Sequence, residues 1–427
     1  MNKSFKIAIL FLLLTNCSLD NKTGIWEDKK KTVNIKKKNK VSLKEKNIEV
    51  REFNKDIEIT LEKNLNLKDK SNNINEEIKK LGKITKYKFS KIDRFDEFDP
   101  ELIFHNNELI FFDNNGTLFK LDKKLNLIWK KNNYLKTEKK INPILYISTL
   151  SQKIIVADSI SKLYALNSMD GELLWSIYSK SAFITQPRVY DNKVFVLDSK
   201  NKLTCYSIID GKLIWSINTA NSFINSDNKA TILIKNNTLF FNNSLGDIMA
   251  VDVDAGILKW QISTQNSLLF ENIIKFKNST LVATDSSIIF SNNKNLFYSL
   301  DQKSGQFNWK QEINSITKPF VIENVIITIS NEGYLFYINH KTGDIIKIIN
   351  IYKQLSNKLK KDIDLIGFTM TYKHIYLSLS NGRLIIYNIQ KNQIESIFKI
   401  DNKKISKPFI FDKNVFIATD NSVIRFN

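Results

Sequence analysis

"LYALNSMDGELLWSI", residues 163–177, reads as a strand, a tight turn and a second strand. "LTCYSIIDGKLIWSI" at 203–217 has the same form, as do "IMAVDVDAGILKWQI" at 248–262 and "LFYSLDQKSGQFNWKQ" at 296–311. In these four copies a turn glycine precedes a tryptophan by four positions: Gly171/Trp175, Gly211/Trp215, Gly256/Trp260 and Gly305/Trp309. A looser copy, "LFKLDKKLNLIWKK" at 118–131, carries Trp129 but no turn glycine. Two degenerate copies follow. One keeps Gly343 with Lys347 in the tryptophan position, and the other has Asn392 and Ser396. A half-copy, "VFIATDNSVIRFN", ends at Asn427.

Positions 129, 175, 215, 260, 309, 347 and 396 are 46, 40, 45, 49, 38 and 49 residues apart. That period suits one four-stranded sheet per repeat and is too long for hexapeptide helices. Within 194–217 a β-rich run, a polar turn, an alternating run, "IIDG" and "KLIWSI" succeed one another. Glycine at the second turn permits positive φ, and a tryptophan at one place per repeat suits docking between neighbouring sheets. The last fragment supplies only about three strands. "KITKYKFSKI" at 83–92 is expected to supply the missing one, because an open sheet edge is an aggregation hazard. The fold class read from the pattern is therefore all-β: an eight-bladed β-propeller of four-stranded blades over 83–427.

The front of the chain is different material. Lys3 and Lys6 precede an apolar run to Leu14, the form of a signal peptide over 1–16 and too short for a transmembrane span. It ends in Leu14-Thr15-Asn16-Cys17, which resembles the bacterial lipobox. That resemblance implies acylation of Cys17, with Ser18 directing the protein to the outer membrane. Residues 18–83 hold 18 Lys or Arg and 12 Asp or Glu, so 17–82 reads as a lipidated N-terminus and Lys-rich tether. "NNINEEIKKLG" near its end carries an Asn cap, early acids and late lysines, the signals of a short helix.

The formal net charge is +20. Lysine, asparagine and isoleucine are overused throughout, and no Arg-rich stripe or nucleic-acid motif accompanies the charge, so no nucleic-acid partner is expected. The only cysteine besides Cys17 is Cys205, in the alternating run "LTCYSI", where it reads as a small buried hydrophobe. His105, His340 and His374 are scattered, and no nucleophile elbow, P-loop or metalloprotease motif is present. Asp158, Asp198, Asp252 and Asp301 fall near strand ends and read as turn residues.

"YALNSMDGELLW" and "AVDVDAGILKW" resemble the tryptophan-docking repeat of the pyrroloquinoline-quinone propeller superfamily. With the lipobox and the "CSL" start, the whole resembles the BamB family of outer-membrane assembly lipoproteins. The resemblance implies a periplasmic scaffold on the outer membrane that binds BamA POTRA domains and other subunits of the assembly machine. It implies no catalysis, cofactor or metal, and no small-molecule substrate. Family members contact BamA through loops that include one between blades three and four. The equivalent stretch here is "NTANSFINSDNKATILIK", 218–235, in which Phe223 and Ile224 are candidate anchors. Two rival readings remain: a quinone-dependent dehydrogenase, and a lipoprotein propeller serving another envelope protein. The dehydrogenase would need calcium ligands, an Asp base and, commonly, adjacent cysteines, and this chain has no paired cysteines.

Overall fold

The structure, a computed structural model, describes residues 50–59, 61, 81–82, 84–219, 230–264, 277–360 and 363–426. The signal segment 1–16, Cys17, the pair Phe223 and Ile224, and the helix expected at 72–82 (except Leu81 and Gly82) lie outside the described residues.

Eight four-stranded antiparallel sheets follow one another along the chain, at 103–131, 145–178, 188–218, 232–263, 282–311, 320–350, 365–399 and 409–426. The last has only three strands of its own. Its fourth is Ile84–Lys88, which pairs residue by residue with Ser422–Phe426, from Ile84↔Phe426 to Lys88↔Ser422. The fold is an eight-bladed β-propeller, and the two ends of its repeat array are joined by this sheet. The middle strands are sandwiched between neighbouring blades and read as unbroken apolar runs. Ile154, Ile155, Val156 and Ala157 are all fully buried. The fourth strands form the rim and alternate, as Gln393–Lys399 does between exposed and half-buried positions.

Each of the five repeat tryptophans sits on a fourth strand and spans the seam to the next blade. Its indole N–H donates to a carbonyl in that blade's turn: Trp129 to Ser168 at 3.3 Å, Trp175 to Ile208 at 3.0 Å, Trp215 to Val253 at 3.1 Å, Trp260 to Gln302 at 2.9 Å and Trp309 to His340 at 2.9 Å. Its ring lies on the turn glycine three residues beyond that carbonyl. Gly305 has φ +72°, and a Cβ there would stand 2.6 Å from the Trp260 ring. Gly171, Gly211, Gly256 and Gly343 seat Trp129, Trp175, Trp215 and Trp309 in the same way. A register shift just before each tryptophan aims the ring across the seam, as between Ala165 and Leu166 opposite Trp175 and Leu173.

In blade one Lys120 is paired across from Trp129, but in blades two to five the residue paired across from the ring is small. Ala165 faces Trp175, Cys205 faces Trp215, Ala250 faces Trp260 and Ser299 faces Trp309. Where the tryptophan is missing the sizes invert, with Tyr337 opposite Lys347 and Ile386 opposite Ser396. Cys205 thus has a packing role. It is free and buried, and burial pushes its thiol up to about 12.

Part of the stretch read as tether lies on the propeller. Residues 50–59 run along the outside of blade six, where Phe53 bridges Ile348 through N–H···O bonds of 3.1 and 3.0 Å. Val50 packs on the core between blades five and six, and Ile59 and Leu61 on the core between six and seven. Leu81 is buried between blades seven and eight. The physical reason is apolar content in the right phase: Ile57, Ile59 and Leu61 alternate with polar residues, the period of a half-buried strand.

The seam geometry gives a graded expectation. Trp309 stacks on Phe297 at 6.1 Å and is nearly buried. Trp309→Ala is expected to cost about 3–5 kcal/mol in denaturant unfolding. Trp309→Phe keeps most of the packing and loses the bond to His340, so its cost should be clearly smaller.

Candidate functional site

The carboxylates near strand ends are engaged by their own turns. Asp198 Oδ1 accepts from the Lys200 and Lys202 amides at 2.9 and 3.0 Å. Asp252 accepts from Asp254 and Ala255 at 3.0 Å each, and Asp301 from Lys303 and Ser304 at 3.0 and 2.8 Å. At Asp252 and Asp301 these bonds fix the turn that presents Gly256 and Gly305; at Asp198 they fix the turn between the second and third strands. They do not gather the acids into one place. Among the described residues, no three His, Cys, Asp or Glu side chains lie together so as to hold a metal ion.

Asp158 is the most perturbed of these acids. One oxygen accepts from the Ile160 and Lys162 amides at 2.9 and 2.8 Å, and the other takes the Tyr134 hydroxyl proton at 2.6 Å. Lys162, itself buried, donates to the Asn133 carbonyl at 2.6 Å and lies 3.6 Å from Glu138. Full burial of Asp158 outweighs these partners and pushes its carboxyl up to about 6. The cluster closes the seam between blades one and two beneath the propeller surface.

Where the first strands converge, a cavity of about 580 Å³ is lined by Glu101, Ser148, Gln186, Arg188, Thr280, Lys318 and Lys407, among others. Lys407 pairs with Glu101 at 3.2 Å. Arginine and lysines outnumber the carboxylate here, so the channel is basic.

The rim carries the most distinctive surface. The two residues before each tryptophan are apolar and exposed in blades one to three: Leu127 and Ile128, Leu173 and Leu174, Leu213 and Ile214. Blade four continues the band with Ile257 and Leu258, and turn residues Met169 and Ile209 add to it at 66% and 65% exposure. Blade five breaks it with Gln306 and Asn308. Blade six has the same apolar pair, Ile345 and Ile346, but residues 50–61 lie over it and both are half-buried. The register shift explains the pattern. It turns two successive side chains outward where strict alternation would expose one. Two apolar residues in front of the repeat's tryptophan were the sequence signal for this band, and they pass for core when read without the shift. Large exposed apolar bands mark interaction surfaces.

The family model described as "Outer membrane protein assembly factor BamB" matches residues 104–349. The chain belongs to the BamB family. A relative, the outer membrane protein assembly factor BamB of Moranella endobia (strain PCIT), is 24% identical over 245 residues, which is 56% of this chain and 63% of that protein. The chain thus spans under two thirds of the length of the relative it matches. BamB from Moraxella catarrhalis shares the fold, with a TM-score of 0.64 and 16% identity over 82% of this chain and 100% of that one. The quinohemoprotein alcohol dehydrogenase of Comamonas testosteroni also shares it, with a TM-score of 0.61 and 11% identity over 82% of this chain and 76% of that one. BamB membership associates the chain with the outer membrane. No helix among the described residues is long and apolar enough to cross a membrane.

Asp158 gives a pH expectation. Its folded carboxyl titrates at about 6 against an ordinary 3.8, so the folded state holds this proton more tightly. The resulting stability is full below about pH 4 and is lost as pH rises through about 6. Asp158→Asn lacks this titration. Between pH 4 and 7 the variant should gain on the wild type by up to about 3 kcal/mol in denaturant unfolding.

Proposed function

We propose that the protein is an acylated, non-catalytic scaffold of the outer-membrane β-barrel assembly machinery, held at the periplasmic face through Cys17. In this reading it binds the POTRA domains of a BamA-like partner and assists insertion of barrel proteins. The observation that carries the reading is the apolar rim of blades one to four on a chain of the BamB family. A scaffold needs a rigid body with an exposed apolar surface, and the propeller offers both. The strand-end acids favour the non-catalytic part, since one oxygen of each is held by turn amides. Phe223 and Ile224 remain candidate anchors in the loop between blades three and four.

A dehydrogenase reading draws on the shared fold alone, and fold does not carry function. Quinone titration of the purified protein should give no stable coloured complex and no alcohol oxidation. The opposite result would establish the enzyme.

Titration with a POTRA fragment tests the scaffold. Leu213→Asp together with Ile214→Asp should weaken binding about tenfold or more and leave the melting temperature unchanged, because both residues are exposed. Phe223→Asp tests the loop by the same measure. Binding unaffected by either change removes that surface from the interface. Absence of any POTRA binding would assign the scaffold to another envelope protein. Cys17→Ser should abolish labelling by radioactive palmitate and move the protein from the membrane fraction to the soluble one.

A further inference from the structure

Five seams of the ring are closed by a tryptophan lying on a glycine. The seam between blades six and seven has neither: Lys347 and Asn392 occupy those positions. Lys347 is nonetheless buried, at 2% exposure, and a buried ammonium requires acceptors. Its Nζ donates to the Ile57 carbonyl at 2.6 Å and to Asn392 Oδ1 at 3.3 Å. The first acceptor comes from outside the repeat array altogether.

We propose that the outer edge of blade six is a docking site for an extended, acid-bearing peptide segment, and that residues 50–61 are its resident occupant, in place of the tryptophan that the sixth repeat lacks. Three features of the edge recognise such a segment. Ile348 offers its N–H and carbonyl to an antiparallel strand and receives both from Phe53. Lys353 Nζ and the Asn350 amide face a carboxylate and hold Glu52 at 3.0 and 3.4 Å. Lys347 takes a carbonyl four residues on, beyond which Ile59 and Leu61 reach the core between blades six and seven. Asn54 Nδ2 donates a further hydrogen bond to the Ile346 carbonyl at 3.1 Å. The charges are consistent with this. Asp56 and Glu58 stand where they favour the Lys347 ammonium, against the burial that lowers its pKa.

A second seam without a repeat tryptophan, between blades seven and eight, has Ser396 in that position, and the same N-terminal region supplies Leu81 to its core. The segment before the propeller therefore reaches two of the three seams that lack a repeat tryptophan, and also lays Val50 on the core between blades five and six.

The test uses the full chain with 50–61 replaced by Gly and Ser at equal length. Its melting midpoint should fall, and a synthetic peptide of residues 50–61 added in trans should restore it saturably, while a scrambled peptide should not. In the replaced chain Lys347→Met should raise the midpoint, because the ammonium has lost its acceptor. In the intact chain the same change should lower it or leave it unmoved. If the replaced chain does not fold, Phe53→Pro in the intact chain serves instead. It removes the N–H given to Ile348 and should speed tryptic cleavage at Arg51 and Lys55 and amide exchange at Ile348. An unmoved midpoint, a fall that the peptide does not restore, an equal effect of Lys347→Met in both chains, or unchanged cleavage and exchange in Phe53→Pro overturns the proposal.

Discussion

A tryptophan ring can lie flat on a neighbouring backbone only where that backbone has no Cβ and turns through positive φ. Everything regular in this propeller follows from meeting that condition at five seams. The glycine fixes the turn, and the strand-end acid or asparagine ties off the turn amides. The register shift then swings the indole across the seam, and in four of the five blades a small residue on the next strand in leaves it room. Each requirement constrains one position of the repeat, which is why the copies agree at those positions and drift elsewhere.

The same condition explains the irregular half of the ring. Once Lys347 and Ser396 replace tryptophan, the seams need volume and hydrogen-bond partners from another source. Tyr337 and Ile386 supply part of the volume from within the blades. The chain ahead of the propeller supplies the rest, with a carbonyl for Lys347 and the side chains of Ile59, Leu61 and Leu81 for the cores. The circumference therefore has two characters. Blades one to four present bare apolar pairs at the rim, whereas the equivalent pair of blade six is covered.

This division bears on how a scaffold of the BamB family would work. Its buried polar cluster around Asp158 and Lys162 and its basic central channel lie within the body, while the rim faces outward. A rigid ring that spends its acids on turns and its indoles on seams has surface left chiefly at loops and rim. In the proposed scaffold reading, binding specificity resides in a few exposed apolar side chains, and a fold shared with an alcohol dehydrogenase does not by itself carry its chemistry.

The repeat spacing, the glycine–tryptophan offset and the unpaired final strand were legible in the sequence, because each reflects a local rule of turns and strands. They determined the eight blades and the role of Ile84–Lys88 as the fourth strand of the last one. The buried part played by Cys205 followed from strand alternation. Three things were decided only in the tertiary structure. Residues 50–61 sit in a lysine-rich stretch whose composition argues against folding alone, and they are held because blade six offers them an edge and a buried ammonium. The exposed pairs such as Leu213 and Ile214 look like core until the register shift turns both outward. The elevated carboxyl of Asp158 depends on burial between two blades. In all three the deciding quantity is which surfaces face each other across a seam, and a linear sequence does not contain it.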